Sequence, residues 1–383
     1  MVAPVPRHGP HPGFVIAPIC QGVGSVFIPT MRPVKRPGVW LRPCIHRHRG
    51  TASFAPNFAT TLAVRRIKGP TSRSGTCPAS RSWAAAPSRI QAETMRAFTK
   101  VFSEKCNLPT TAIMPAYGMA EATLAITLKP AAEGFRTLTI DADTFAEQGK
   151  AEPAVEGRTA IEHVACGVPF SGHEVAVLDE RGNRMPDGHE GELCHRGPSV
   201  TAGYYNNPEA TAAAYRDGWL RTGDLGFVLD GQTYVTGRIK DLIIVNGRNV
   251  HPQAVEWIVG ELDGVRKGNV IAFSVPGELG EELVVSLETK LRGEDAAPLV
   301  EAARQAIQRE LSLSVREVLC LPAGTLPKTS SGKLQRRKTR EQYLKGELGN
   351  DGPRTYGSSA DRLTLARHVA RSMWSRAKAA LRG

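Results

Sequence analysis

The chain has 383 residues, of which 41% are hydrophobic and 22% charged; this is the composition of an ordinary globular protein, with room for roughly two or three domains. It contains no run of about 18 apolar residues, which excludes a transmembrane helix, and no collagen period, heptad array or internal repeat. The net charge of +12 is unevenly placed: residues 1–92 hold 13 Lys and Arg, no Asp or Glu, and 13 of the 27 prolines. A segment of that kind either binds a polyanion or anionic membrane, or is poorly folded sequence. It lacks the aromatic interleaving of single-strand platforms, so no specific nucleic-acid partner is expected. The seven cysteines are scattered, with no Cys-x-x-Cys pair, and indicate neither a zinc site nor a disulfide framework. With no apolar h-region after a basic start, a cytoplasmic location is the default expectation.

In chain order, the Pro- and His-rich residues 1–12 read as irregular. Residues 13–31 read as a strand or buried helix, a Gly-containing turn and a second strand. Ala52–Ile67 reads as a turn and short helix, and 69–89, dominated by Ser, Arg, Pro and Ala, as a loop. From Ile90 the texture changes. Met95, Phe98, Val101 and Phe102 predict a helix over Gln91–Phe102, and Ala112–Pro115 suits a short strand. Alternation between Thr159 and Arg196 predicts strands at Val175 and Val177 and over Glu192–His195, with turns at Gly182 and Asp187-Gly188. Gly226–Gly237 reads as a hairpin turning at Asp230-Gly231. Leu242–Val245 reads as a strand before an Asn246-Gly247 turn, and His251–Val259 as a helix with Pro252 in its first turn. Val270–Val275 and Leu283–Thr289 read as strands, Leu299–Leu311 as a helix, and 324–334 as a Gly/Ser/Thr-rich loop carrying lysines. Beyond Gly349 the tail opens polar. Leu363–Leu381 has the spacing of a basic amphipathic helix, in the plainer reading a solvated terminal one. A domain boundary is expected near 238–242, with a smaller α+β unit of roughly 110 residues after it.

Four segments combine residue types suited to binding a nucleotide. In Ala116–Thr123 (AYGMAEAT), Tyr117 beside Gly118 allows a flat ligand to stack while the backbone approaches it. Glu121, four residues on, can hold Mg²⁺. The same letters also describe a common Tyr-Gly turn before a helix. In Gly218–Gly226, Asp224 lies in a Gly-flanked turn where a carboxylate can accept two hydrogen bonds from a vicinal diol; an Asx-turn is the alternative. In Thr236–Pro252, Arg238 suits ribose or phosphate contact and Lys240-Asp241 suits a hinge, with surface charge as the alternative for both. In Leu326–Leu334, Lys333 follows Ser-Ser-Gly and can ride a mobile loop onto developing negative charge. The spacing departs from a full G-x-x-x-x-G-K loop, and a solvated basic loop is the alternative.

Taken together and in order, these segments resemble the adenylate-forming superfamily of acyl-CoA synthetases, luciferases and peptide-synthetase adenylation domains. Tyr117–Leu124, Gly191–Tyr205 (GELCHRGPSVTAGYY), Arg221–Gly226, Gly237–Asp241 and Lys328–Lys333 match successive core motifs. The run YGMAEATL, with Ala120 where many members have Thr, looks most like the fatty acyl-AMP ligase branch, as do GRIKDLIIVNGRNVHPQAVE and residues 51–66. The resemblance runs through about residues 90–348 and is specific, since five motifs coincide in order. It implies a mixed α/β fold, a large adenylation domain followed by a small mobile α+β domain. It also implies a two-step reaction in which a fatty acid attacks the α-phosphate of ATP, and the adenylate then passes to an acyl carrier protein or CoA. By motif position Tyr117 and Gly118 would border adenine, Glu121 would bind Mg²⁺, and Asp224 with Arg238 would hold the ribose. Lys240 would be the hinge, and Lys333 would bridge carboxylate and α-phosphate.

The family's Thr/Ser/Gly-rich phosphate loop ending in Pro-Lys-Gly has no counterpart here. The expectation is therefore a chain truncated at its N-terminus. Residues 1–92 would be a poorly matching basic remnant of the large domain, 93–239 its C-terminal part, 240–348 the small domain and 349–383 a basic tail. Segments 1–12 and 69–89 break the match between good flanks, as a shifted reading frame would. Impaired turnover is expected on this view, and a catalytically dead fragment with residual nucleotide binding is the alternative.

Overall fold

A computed structural model describes residues 2–5, 15–29, 39, 52–54, 57–66, 82–85, 92–106, 108–245, 248–277, 280–329 and 334–349. Its contacts divide the chain into two units, Met1–His251 and Pro252–Gly383.

The first unit is built on a seven-stranded sheet. β1 (Val2–Val5), β2 (Val26–Pro29), β3 (Ala52–Phe54), β4 (Ser82–Ala85) and β5 (Ile113–Tyr117) lie in the order β2-β1-β3-β4-β5, all parallel. Parallel neighbours need crossovers, and among the described residues three helices lie in the connections: α1 (Ala17–Cys20), α2 (Asn57–Arg66) and α3 (Ala92–Cys106). On α3, Met95, Phe98 and Phe102 recur at helical spacing and are buried, packing with Ala63 of α2, Ile113 and Tyr117. The Phe98 and Phe102 rings lie 4.4 Å apart. Every residue of β5 is buried, as expected of a strand covered on both faces. Two differences from the sequence reading appear here. β1 lies in the segment read as irregular, and β4 in the one read as loop. Strands of four residues carry too little pattern to announce themselves, and their pairing is imposed by the neighbours they align with, Val2 with Val26 and Trp83 with Ile113.

β6 (Thr127–Leu128) continues the sheet antiparallel. After the antiparallel pair β7 (Thr137–Asp141) and β8 (Ala160–Val164), β9 (Val168–Pro169) closes its edge. Between that pair runs α4 (Ala142–Gln148). It starts where the Asp141 side chain accepts the Thr144 N–H at 2.7 Å and stops at Gly149 in a left-handed conformation.

A second sheet holds β10 (Glu174–Leu178), β11 (Gly191–Arg196), β12 (Tyr215–Arg216), β13 (Trp219–Leu229) and β14 (Gln232–Arg238), with α5 (Pro208–Ala214) before β12. β13 pairs with β11, β12 and β14. The β13–β14 hairpin turns at Asp230 and Gly231, with φ of 51° and 72°, the positive pair that a two-residue hairpin turn needs. Across it Phe227 stacks on Tyr234 at 4.8 Å, in a core shared with Ile140 and Phe145. The short pair β15 (Ile243–Val245) and β16 (Arg248–Val250) follows. It belongs to this unit: Arg248 bonds Asp143 at 3.3 Å, and His251 Nε2 lies 3.2 Å from Glu190.

In the second unit α6 (Pro252–Gly260) precedes a sheet of β17 (Val265–Pro276), β18 (Glu281–Thr289) and β19 (Val315–Leu321) in that order. β17 and β18 are antiparallel; β18 and β19 are parallel and joined through α7 (Ala297–Leu311). The α7 stripe Leu299, Ala303, Ala306 and Ile307 is buried. Sequence reading found neither β19 nor α8 (Arg336–Leu344). α8 docks by arginines more than by an apolar face: Arg336 bonds Glu256 at 2.7 Å and Arg340 donates to the Ser274 carbonyl at 2.7 Å. Tyr343 donates to Glu317 at 2.6 Å and meets the Phe273 ring. The tail helix expected over 363–381 lies outside the described residues.

Candidate nucleotide site

Tyr117, Asp224 and Arg238 are far apart in sequence and adjacent in space. Tyr117 ends β5 and is 4% exposed. Its hydroxyl donates to Asp224 Oδ2 at 2.8 Å. The other carboxylate oxygen accepts from Arg238 Nε at 2.9 Å. Asp224 and Arg238 are register partners across β13 and β14, so the sheet itself delivers this ion pair. Asp224 is set by the turn before it: Gly223 has φ of 69°, and the Asp224 N–H donates to Thr222 Oγ1 at 3.1 Å. Thr222 in turn donates to the Leu193 carbonyl, while Glu192 takes the Gly223 N–H and the Arg221 side chain.

The electrostatics follow from burial. Removal from water pushes the Asp224 carboxyl above its usual range, and the Arg238 guanidinium and Tyr117 hydroxyl oppose that rise. Burial pushes the Tyr117 phenol well up, and the neighbouring carboxylate adds to it. A carboxylate has about four lone-pair sites, so the two bonds Asp224 accepts from Tyr117 and Arg238 leave acceptor capacity for a diol. Arg238 keeps 59% of its side chain exposed and is accessible to a ligand. The sequence reading expected Tyr117 to offer a stacking face. What the structure shows is the hydroxyl orienting the carboxylate.

Gly118 is required by close packing: a Cβ there would meet the Leu124 carbonyl oxygen at 2.0 Å and Ala125 Cα at 2.6 Å. The chain folds back because Ala120–Ala122 forms one 3₁₀ turn and Thr123 adopts φ 65°, ψ −52°. The Leu124 N–H then closes a γ-turn onto the Ala122 carbonyl at 2.7 Å. Positive φ is strained for a β-branched residue. Residues 199–204 clasp this turn with three hydrogen bonds. Thr123 Oγ1 donates to the Ser199 carbonyl at 2.8 Å, the Thr201 N–H donates to the Glu121 carbonyl at 2.8 Å, and Tyr204 Oη donates to Glu121 Oε1 at 2.7 Å. The Glu121 bond also raises the Tyr204 phenol above its ordinary range.

Lys240 lies in the exposed 3₁₀ turn Ile239–Asp241; the division between units falls after His251. Lys333 lies outside the described residues. The base of its loop is described: Lys328 bridges to Leu334, and the Gln335 N–H donates to the Pro327 carbonyl at 2.9 Å. The buried Glu288 carboxylate accepts the Leu326 N–H at 3.1 Å and Arg266 at 2.5 Å, and Lys328 bonds Asn269. Sequence reasoning missed Thr222, Tyr204, Ser199 and Glu288. The available signal was the place of Ser199 and Tyr204 inside the Gly191–Tyr205 motif and of Thr222 inside Arg221–Gly226.

Among the described residues no three His, Cys, Asp or Glu side chains gather as a self-contained metal site. Mg²⁺ does not require one, because it is commonly held by one or two carboxylates together with substrate phosphates. Glu121 supplies one such carboxylate, half-buried, with the Tyr204 hydroxyl on its Oε1.

A parallel sheet with crossover helices, a second antiparallel sheet presenting a buried carboxylate, and a small α+β unit define an adenylation-type fold. The chain belongs to the AMP-binding enzyme family, whose model matches residues 10–205. Among its relatives, a Caulobacter vibrioides protein provisionally assigned as an acyl-CoA synthetase is 36% identical over 344 residues, covering 88% of this chain and 59% of that one. The long-chain-fatty-acid–AMP ligase FadD32 of Mycolicibacterium smegmatis is 32% identical over 385 residues, covering 88% and 61%. A structure from work on fatty acyl-adenylate ligases of E. coli and L. pneumophila superposes with a TM-score of 0.83 at 32% identity, covering 90% of this chain and 62% of that one. The chain thus spans about three fifths of the length of these relatives. No helix among the described residues is long and apolar enough to cross a membrane.

Proposed function

We propose that this chain takes part in ATP-dependent activation of a fatty acid to its acyl-adenylate, with an acyl carrier protein or CoA as the thiol acceptor. The observation that carries the reading is the buried Tyr117–Asp224 pair, which presents an oriented carboxylate with acceptor capacity to spare beside the exposed Arg238 guanidinium. The fatty acyl substrate is suggested by the relatives, named for long-chain fatty acids and fatty acyl-adenylates.

On this reading Asp224 accepts both ribose hydroxyls, Tyr117 holds that carboxylate and borders the base with Gly118, and Arg238 contacts the ribose or phosphate. Glu121 would hold Mg²⁺, which when bound neutralises phosphate charge. A carboxylate oxygen of the acid forms a bond to the α-phosphorus as the bond to the β-phosphate oxygen breaks, and pyrophosphate leaves. Lys333, assigned by motif position, would neutralise charge at the α-phosphate, and Lys240 would be the pivot of the small domain. Positioning and charge stabilisation are the main contributions a protein makes to such transfers.

The test is calorimetry of ATP with the full chain, followed by pyrophosphate release with fatty acids of graded length. Heat from ATP that disappears in Asp224→Ala, and release that disappears in Lys333→Ala while ATP still binds, support the proposal. No heat from ATP on the folded chain overturns it. Binding without release reduces the chain to a nucleotide-binding protein.

A further inference from the structure

The turn bearing Glu121 is strained at Thr123, so something outside it must hold it. The clasp segment supplies the hydrogen bonds, and the clasp is itself anchored at one imidazole. His173 precedes β10. Its Nε2 lies 2.9 Å from Ser199 Oγ and accepts the Ser199 N–H at 3.4 Å. A backbone N–H can only donate, so Nε2 is the acceptor and the proton sits on Nδ1, which donates to the Ser171 carbonyl at 3.1 Å. The ring is fixed on two further sides. It stacks on His195, with centroids 5.5 Å apart and planes 2° from parallel. It also lies against Gly197, where a Cβ would meet His173 Cδ2 at 2.3 Å. Ser199, held by this ring, offers its carbonyl to Thr123 Oγ1. Two residues on, the Thr201 N–H donates to the Glu121 carbonyl.

We propose that His173 is a positioning residue for the Glu121 carboxylate, acting through Ser199 on the Thr123 turn. His173 makes none of the three clasp bonds itself; it fixes the segment that makes them. Conformations of this kind persist only where the surroundings over-determine them, and the stacked, glycine-backed imidazole is one fixed part of those surroundings. The functional consequence rests on the reading that Glu121 serves the phosphate end of a nucleotide.

Two measurements on the full chain separate the structural claim from that reading. The first is amide hydrogen exchange of Leu124 and Thr201 without ligand. His173→Phe keeps a flat ring against His195 and Gly197 but has no nitrogen for Ser199. It is expected to speed exchange at both amides about tenfold, with the amides of β11 and β13 unchanged. Ser199→Ala, which removes only the hydroxyl bond, moves them in the same direction by less. His173→Gln, whose amide can restore an acceptor, recovers most of the protection. Unchanged exchange at Leu124 and Thr201 in both His173→Phe and Ser199→Ala overturns the proposal. The second is calorimetry of ATP with Mg²⁺. Weaker binding in His173→Phe, restored in His173→Gln, is expected; a loosened turn with unaltered affinity overturns the positioning role. An unmutated chain that binds no ATP refutes the nucleotide reading and leaves the exchange result to stand alone.

Discussion

Removing one oxygen atom tests the central geometry of the site. Tyr117→Phe keeps the ring and its packing and deletes the donor to Asp224 Oδ2. The acceptor is ionisable and only 6% exposed, so water cannot fully replace the lost bond. A hydrogen bond to a charged group contributes about 1.5–3 kcal/mol, and that is the expected loss at neutral pH. The pH dependence has a definite sign. Burial raises the folded-state pKa of Asp224 above its unfolded value, so the buried carboxylate costs stability at neutral pH. That cost is relieved as the pH falls through the folded pKa. The Tyr117 hydroxyl is one of the causes opposing the rise. Without it the folded pKa climbs further, and the deficit of Tyr117→Phe shrinks on acidification. The assay is urea unfolding of the full chain, unmutated and as Tyr117→Phe, Asp224→Ala and the double variant, at neutral and mildly acidic pH. The double-mutant cycle should show coupling of about 1.5–3 kcal/mol at neutral pH. Effects additive to within about 0.5 kcal/mol, or a deficit that does not change with pH, would refute the reasoning.

Other outcomes are equally open to measurement. Gly118→Ala drives a methyl group into the Leu124 carbonyl and should destabilise the first unit by about 3 kcal/mol in chemical denaturation. Glu288→Ala leaves the buried Leu326 N–H without its acceptor. It should destabilise the second unit by about 1.5–3 kcal/mol, towards the lower end because the Arg266 partner is 49% exposed, and should speed tryptic cleavage after Lys328. Burial lowers the His195 pKa, so the folded chain keeps a neutral ring while the unfolded chain takes up a proton below about pH 6.5. Stability is therefore intact above that pH and declines below it. A denaturation series on His195→Phe should show a shallower acid decline.

Where the sequence was informative, a local rule was enough. Asp230-Gly231 announced its hairpin because two positive φ angles in a row leave few alternatives. Met95, Phe98 and Phe102 announced α3 because a buried helix face repeats. α8 escaped notice because its docking uses Arg336, Arg340 and Tyr343, whose polar ends disguise a packed face. The segment around Trp83 escaped because a four-residue strand inside Ser/Arg-rich sequence exists only through its neighbours. In the site, motif order led to Tyr117, Glu121, Asp224 and Arg238, but not to the bonds between them. Tyr117 and Asp224 are 107 positions apart, and Glu121 and Tyr204 are 83 apart. No periodicity links residues at such distances. His173 stayed invisible because its role is defined by the backbone N–H it receives.

β13 has partners along both edges, and Asp224 sits within it rather than on a connecting loop. Strands with neighbours on each side generally unzip last, in step with the whole unit rather than by local fraying. The Asp224 carboxylate is therefore placed where thermal breathing is least. Heating or mild denaturant should blunt the clasped turn around Glu121 well before it disturbs the ion pair with Arg238. On the proposed reading, hold on the phosphates would then be lost while the sugar is still recognised.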